Sequence, residues 1–434
     1  MNLGRMPVGE LIERCFVLVA LVLLTDVRMD MTAVAQEVRA VNPLKQMVFA
    51  GIYAVVFLLL AFRMKWVVRV IWRDTVTWIL VGFAVISVFW SVEPDVTARR
   101  LVALLGTTVF GVYLASRFTL REQLSLVAVA LIVAALLSVA FVLAMPQLGL
   151  QHDATGDLWR GIYMNKNALG RMMAMSAVVM FLLLQGHWFR LLPWLGMFLS
   201  LGLLWLTRSK TSLVGMLAMM CLVPVYRLLR RNWSIAVTLI LIAMVPGILV
   251  AAWAFNNQPL VMGWLGKDTT LTGRTDIWSS AIVMIRERPW LGYGFAGFWR
   301  GLDGASSYVC NVVGWEPPHG HNGVLDLWLD LGAVGVVLFG MSYAVAFIRA
   351  LGRLRHTDRV EGLWPVVFMT FLIFLNLTES TFLRINHLFW CLYVSCLLSK
   401  PTKLPRRVVS GDLAPAQVSP LPLASLETAR GETA

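Results

Sequence analysis

Twelve apolar stretches joined mostly by short charged connections limit what this chain can fold into more than any other feature. They lie at about 10–26, 46–62, 75–92, 98–116, 123–145, 167–186, 188–206, 211–229, 233–255, 323–348, 361–379 and 383–399. Most approach the roughly 20 residues that a helix needs to cross a bilayer. Inside lipid a chain must satisfy its own backbone hydrogen bonds, so stretches of this length predict helices. Charge content agrees. Only 14% of the residues are charged, against about 25% in an ordinary soluble protein. The expected fold is an all-α polytopic membrane protein with about 12 transmembrane helices. The first stretch lacks a small-residue cleavage site and reads as a membrane helix, not a signal peptide.

Charges then assign the sides. By alternation, Arg63, Lys65, Arg69 and Arg73 share a face with Arg117 and Arg121, with Arg190, and with Arg227, Arg230 and Arg231. Arg349, Arg353, Arg355 and Arg359, then Lys400, Lys403, Arg406 and Arg407, fall there too. The positive-inside rule makes that face cytoplasmic, with both termini on it. The net charge of +13 is thus largely topological, and no nucleic-acid partner is expected. Five cysteines, at 15, 221, 310, 391 and 396, form no CxxC pair, which argues against a disulfide framework or a zinc site.

Against this pattern, Arg160, Lys166, Arg208, Lys210, Arg274, Arg286, Arg288 and Arg300 fall on the outer face. Cations collected where the rule excludes them imply that this face handles something anionic. Two outer connections stand out, 146–166 and 256–321. A structureless loop as long as the second is improbable. Within it, Ile277, Trp278, Ala281, Ile282 and Ile285 recur at helical spacing. Thr275 is the expected cap and Pro289 the expected stop. The segment could lie flat on the membrane or cover a cavity. Residues 1–400 are expected to form the transmembrane domain, and 401–434 a disordered cytoplasmic tail.

Four constellations could carry chemistry. Arg160, Lys166 and Asn167 form a donor-rich loop suited to phosphate oxygens or sugar hydroxyls, although an interfacial loop with snorkelling cations would look the same. Arg208 and Lys210 sit in a tight turn with Thr207, Ser209, Thr211 and Ser212; a turn needs polarity but not two misplaced cations. Gly273-Arg274 precedes a helix start, whose positive end favours an anion, unless Arg274 simply pairs with Asp276 or another carboxylate. His319, His321 and Asn322 lead into the tenth stretch, and histidine is the side chain best suited to moving protons near neutrality. Two histidines could also bind a metal, but local candidates for further ligands are only Glu316 and Asp326, so no metal is expected. Glu379 could orient one of these cations or pair with Arg384. Asp326 and Asp330 lie within the tenth stretch, where they could pair with an arginine or mark an ion pathway.

Taken in order, Arg160-Gly with Asn165-Lys166-Asn167, Arg208-Ser-Lys-Thr211, Leu271-Thr-Gly-Arg274-Thr-Asp-Ile-Trp278, Pro289-Trp-Leu-Gly-Tyr-Gly-Phe295 and His321-Asn322 with Leu325 and Gly332 resemble the O-antigen ligase and polymerase superfamily. The resemblance covers roughly residues 150–390 and is nearest to the ligases that finish lipopolysaccharide. It implies a GT-C-type glycosyltransferase of the bacterial inner membrane with a periplasmic active site. It further implies a donor glycan on undecaprenyl diphosphate, a sugar hydroxyl of lipid A–core lipopolysaccharide as acceptor, inversion at the anomeric carbon, and no cofactor. Arg160, Lys166, Arg208 and Lys210 would hold the diphosphate, with Arg274 and His321 catalytic and Asn322, Asn167, His319 and Glu379 in support. An O-antigen polymerase or a protein O-oligosaccharyltransferase would use the same donor. A transporter of anionic substrates fits less well, because its charges belong near the midplane.

Overall fold

The computed structural model describes residues 7–29, 42–153, 156–186, 191–235, 273–356 and 360–400. Most of the expected ninth stretch, the first part of the large outer loop and the tail lie outside them. From the N-terminus come α1 (Val8–Leu23), α2 (Pro43–Ala61), α3 (Met64–Ile71), α4 (Thr75–Ile86), α5 (Pro94–Arg117) and α6 (Leu120–Ala144). A short helix, α7 (Pro146–Gly149), leads into a hairpin of β1 (Leu150–Asp153) and β2 (Gly156–Trp159). Then follow α8 (Lys166–Leu184), α9 (Leu191–Thr207), α10 (Lys210–Arg231), α11 (Arg274–Glu287), α12 (Ser307–Val313), α13 (Gly323–His356), α14 (Val360–Asn376) and α15 (Leu388–Leu398).

The protein is thus mostly helical and polytopic. Among the described residues six helices, α2, α5, α6, α8, α10 and α13, are long and apolar enough to cross a membrane, and α4, α9, α14 and α15 are shorter apolar helices. Large apolar side chains such as Phe57, Phe198 and Trp205 remain exposed, as a lipid-facing surface requires and a water-facing one resists. In contrast α8 is enclosed nearly all round, from Ala168 to Val179.

Local sequence explains the helix starts. Pro43 and Pro94 occupy first-turn positions, where proline loses no hydrogen bond. Thr119 and Glu122 form a reciprocal capping box at α6. Asn165 caps α8 by accepting from the Ala168 N–H at 2.9 Å.

Several expectations need correction. The fold is not purely helical, because the 146–166 connection holds the β1–β2 hairpin. The 62–74 connection holds the basic amphipathic helix α3. Thr275 lies inside α11; Gly273 occupies the cap position at φ 78° without a side-chain cap, a conformation glycine adopts at little cost. Helix α11 does stop ahead of Pro289 and buries Ile277, Ala281 and Ile285, while Ile282 is exposed. With Met284, Tyr293, Phe298, Val309 and Leu329, the three buried residues form a second small core. The last two stretches are shortened to α14 and α15, which leaves residues 377–387, including Glu379, as a non-helical connection.

The tenth stretch is also interrupted. Gly332 has φ 65° and ψ −170° inside α13. The break frees backbone groups, and the Pro289–Phe295 turn takes them up. The N–H groups of Ala333 and Val334 donate to the carbonyls of Pro289 and Trp290 at 2.8 and 3.3 Å, and Leu329 accepts from the Tyr293 N–H at 2.7 Å. The aromatic, glycine-rich turn is therefore a plug in a broken helix. Asp326 and Asp330 lie on the N-terminal side of that break.

Candidate active site

The site is assembled from four separate parts of the chain. Arg171 lies one turn into α8, and Arg274 is the first residue of α11. His319 and His321 precede α13, and Glu379 follows α14. Arg171 Nη1 lies 2.9 Å from Glu379 Oε2, and Arg274 Nη2 lies 3.7 Å from Glu379 Oε1. One ligand-type atom from each of His319, His321 and Glu379 lies within 4.8 Å of the other two. The imidazole centroids are 4.1 Å apart.

His321 holds a left-handed backbone, φ 51°, which is uncommon for a residue with a side chain. Its N–H donates to Nδ1 of His319 at 3.2 Å, so a neutral His319 carries its proton on Nε2. Nδ1 of His321 is buried and lacks a hydrogen-bond partner among the described residues. Burial disfavours the charged ring; Glu379 opposes this, whereas Arg274, Arg171 and Arg384 reinforce it, and His321 is lowered to about 4. Burial and the same cations, with His321 itself, push His319 well below the ordinary histidine value. Both rings are thus neutral near pH 7. Burial also lowers Arg274 from its usual value, against the pull of Glu379, but a guanidinium stays charged in proteins.

Of the other expected residues, Asn167 and the 207–212 turn adjoin this centre. Asn167 Oδ1 accepts from Ser209 Oγ at 3.1 Å, joining the start of α8 to the 207–212 turn. A 20 Å³ cavity lined by Arg171, Thr211, Ser212 and Glu379 brings that turn to the buried ion pair. Arg208 has a left-handed backbone, φ 48°, and Lys210 opens α10. The Lys166 N–H donates to Gln151 Oε1 of the hairpin. Arg160 Nε donates to the Leu148 carbonyl at 2.9 Å, and burial, then Arg28, lowers its value. Arg160, Lys166, Arg208 and Lys210 are not among the groups that act most strongly on His321. Asn322 Oδ1 accepts from the N–H groups of Val324 and Leu325, so its amide caps α13.

Of the two carboxylates open for Arg274, the structure selects Glu379. Arg384 pairs instead with Asp26 at 3.2 Å, and Lys45 joins the same carboxylate at 3.0 Å. The main residue that the sequence reading passed over is Arg171. It lay inside an apolar stretch, and a charge at such a place is itself a functional signal.

His319, His321 and Glu379 are ligand types that could hold a metal ion. Glu379 already faces two guanidiniums, and Arg384 adds positive charge at both rings. That field opposes a divalent cation and favours an anion with several oxygens.

Comparison with known proteins bears out the resemblance read from the motifs. Residues 195–340 match the family described as O-antigen ligase. That stretch contains Arg208, Lys210, Arg274 and His321 and ends before Glu379. The chain is 26% identical over 295 residues to the exopolysaccharide production protein ExoQ of Rhizobium meliloti, covering 64% of this chain and 65% of that protein. It is 34% identical over 107 residues to a putative polysaccharide ligase of Rickettsia conorii, covering 23% of this chain and 26% of that protein. The chain therefore aligns with less than two thirds of either relative.

Proposed function

We propose that this protein transfers a glycan from undecaprenyl diphosphate to a sugar hydroxyl of lipid A–core lipopolysaccharide, at the periplasmic face of a bacterial inner membrane. The observation that carries the reading is a neutral imidazole, His321, beside Glu379 and inside a ring of arginines. A base and a set of fixed cations are the two things such a transfer needs. In this reading the chain has twelve spans and a GT-C-type architecture. Both termini are cytoplasmic, residues 1–400 form the transmembrane domain, and 401–434 form a tail.

The acceptor oxygen attacks the anomeric carbon from the face opposite the diphosphate. The new C–O bond forms as the old glycosidic C–O bond breaks, and the configuration inverts. The electron pair of the broken bond goes to the bridging oxygen, so negative charge grows on the diphosphate. Arg274 stabilises that charge, and Arg160, Lys166, Arg208 and Lys210 bind the diphosphate and its surroundings. Planar guanidinium forks suit paired phosphate oxygens. His321 takes the proton of the acceptor hydroxyl. With no metal in the scheme, fixed cations supply the electrostatic stabilisation. Binding of the anionic donor beside His321 raises its affinity for that proton.

The likeness to an exopolysaccharide production protein favours a second reading. There the same donor chemistry extends a polymer on undecaprenyl diphosphate, and the acceptor is another lipid-linked unit. One experiment separates the two. Purified protein is given a glycan on undecaprenyl diphosphate, with and without lipid A–core lipopolysaccharide. A glycan ladder on lipid A–core supports the ligase. Longer chains without that acceptor support the polymerase. No product in either lane overturns both.

A further inference from the structure

The turn that carries His321 is pinned by a carboxylate to which the proposed chemistry gives no role. Both oxygens of Asp326 accept from the Gly320 N–H, at 2.9 and 3.1 Å. Oδ1 also accepts from the indole N–H of Trp299 at 2.9 Å. The carbonyl of the same Gly320 accepts from the indole N–H of Trp278 at 2.8 Å. Gly320 is therefore held through its N–H and its carbonyl, immediately before the left-handed residue His321. The fit is close, because a Cβ at position 320 would lie 2.6 Å from Asp326 Oδ1.

The platform under this clamp is itself tied to its neighbours. Asn322 caps the helix on which Asp326 sits, with the Asp326 N–H donating to the Asn322 carbonyl at 3.0 Å. Gly323 abuts Asn376 at the end of α14, where a Cβ would come within 2.1 Å of its side-chain oxygen. Trp278 lies one helical turn beyond Arg274 on α11, so the bond to Gly320 also ties the helix bearing that cation to the histidine turn.

We infer that Asp326 is a positioning residue that acts through Gly320 to hold His321 at the acceptor hydroxyl, with Trp278 fixing the same turn relative to Arg274. The inference rests on the reading of His321 as the base. Asp326 donates or accepts no proton in the reaction. It fixes where the imidazole stands, and misplacement of a reacting group by about 1 Å can cost on the order of 10² in rate. Positioning of the base affects the chemical step and leaves the hold on the donor diphosphate to the cations.

The test uses full-length protein with a glycan on undecaprenyl diphosphate and lipid A–core acceptor. Asp326→Ala is expected to lower kcat about 10²-fold, with donor KM nearly unchanged. Asp326→Asn keeps an oxygen for Gly320 and Trp299 and is expected to recover most of that loss. In a His321→Ala background, Asp326→Ala is expected to cost little more, since both act on one step. A kcat unchanged in Asp326→Ala, or a loss confined to donor KM, overturns the inference. So does a full additional loss in the double variant. Should Asp326→Ala fail to fold, Trp278→Phe carries the test, since it removes one donor to Gly320; an unaltered kcat there also overturns the inference. Full transfer by His321→Ala alone would reject His321 as the base, whatever Asp326 does.

Discussion

Arg171 and Glu379 face each other at 2.9 Å, with side chains only 4% and 8% exposed. One comes from the enclosed helix α8 and the other from the connection after α14. Glu379 also meets Arg274 at 3.7 Å, so this one carboxylate faces guanidiniums from two different helices.

Removing Glu379 leaves the buried Arg171 guanidinium without its carboxylate, a loss that costs about 3–5 kcal/mol for a buried pair, whereas removing Arg171 leaves Glu379 with only the longer contact to Arg274. Arg171→Met or Glu379→Gln is expected to lower the thermal midpoint in detergent, and Arg171→Met combined with Glu379→Met to restore much of it without restoring transfer. If the double variant recovers activity along with stability, the pair serves the fold alone.

Arg274 is expected to matter to the rate more than to the fold, because its guanidinium lies at the first turn of α11 and only partly packs against Glu379. Arg274→Ala should reduce glycan transfer about 10²–10³-fold while insertion and thermal midpoint stay near the parent's. A normal transfer rate would reject its role in stabilising the leaving diphosphate.

His321 is lowered to about 4, by burial first, with Arg274, Arg171 and Arg384 adding to it against Glu379. Only the neutral ring accepts a proton, so kcat/KM should rise with pH through about 4 and stay level from there toward neutrality. The bound donor adds negative charge nearby, so the acid limb of kcat should lie at higher pH than that of kcat/KM. His321→Ala should cost about 10²–10⁴ in rate and lose the acid limb. A limb that persists in the variant belongs to another group.

The cluster of His319, His321 and Glu379 makes metal dependence a direct question. The surrounding arginines lead to the expectation that EDTA leaves transfer intact. Loss on chelation, reversed by Mg²⁺ or Mn²⁺, would overturn the scheme of fixed cations.

Gly332 breaks α13 at φ 65°, and a Cβ there would lie 2.1 Å from the Trp290 carbonyl. Gly332→Ala therefore adds steric overlap to a strained backbone, which alone costs of order 1–3 kcal/mol. The variant should show a lower thermal midpoint. An unchanged midpoint would mean that the plug formed by residues 289–295 tolerates displacement.

Much of this protein was decided by sequence alone, because lipid makes backbone hydrogen bonding and charge placement obligatory. The apolar stretches therefore showed a polytopic helical chain, and the misplaced cations pointed to the proposed anion-handling face. The start of α8 at Asn165, the stop of α11 ahead of Pro289 and the Arg274 and His321 motifs were all local signals. Tertiary structure decided what those signals touch. Glu379 is more than a hundred residues from Arg274 in sequence, and no local pattern chooses it over Asp276. Arg171 could be read only as a charge in a hydrophobic run until Glu379 was placed against it. The break at Gly332 was hidden for a similar reason: a glycine in an apolar stretch is ordinary, and this one becomes a break only because the 289–295 turn takes up the hydrogen bonds the helix leaves open. Local spacing sets helices and their ends, but ion pairs and broken helices depend on partners that only the folded chain brings together.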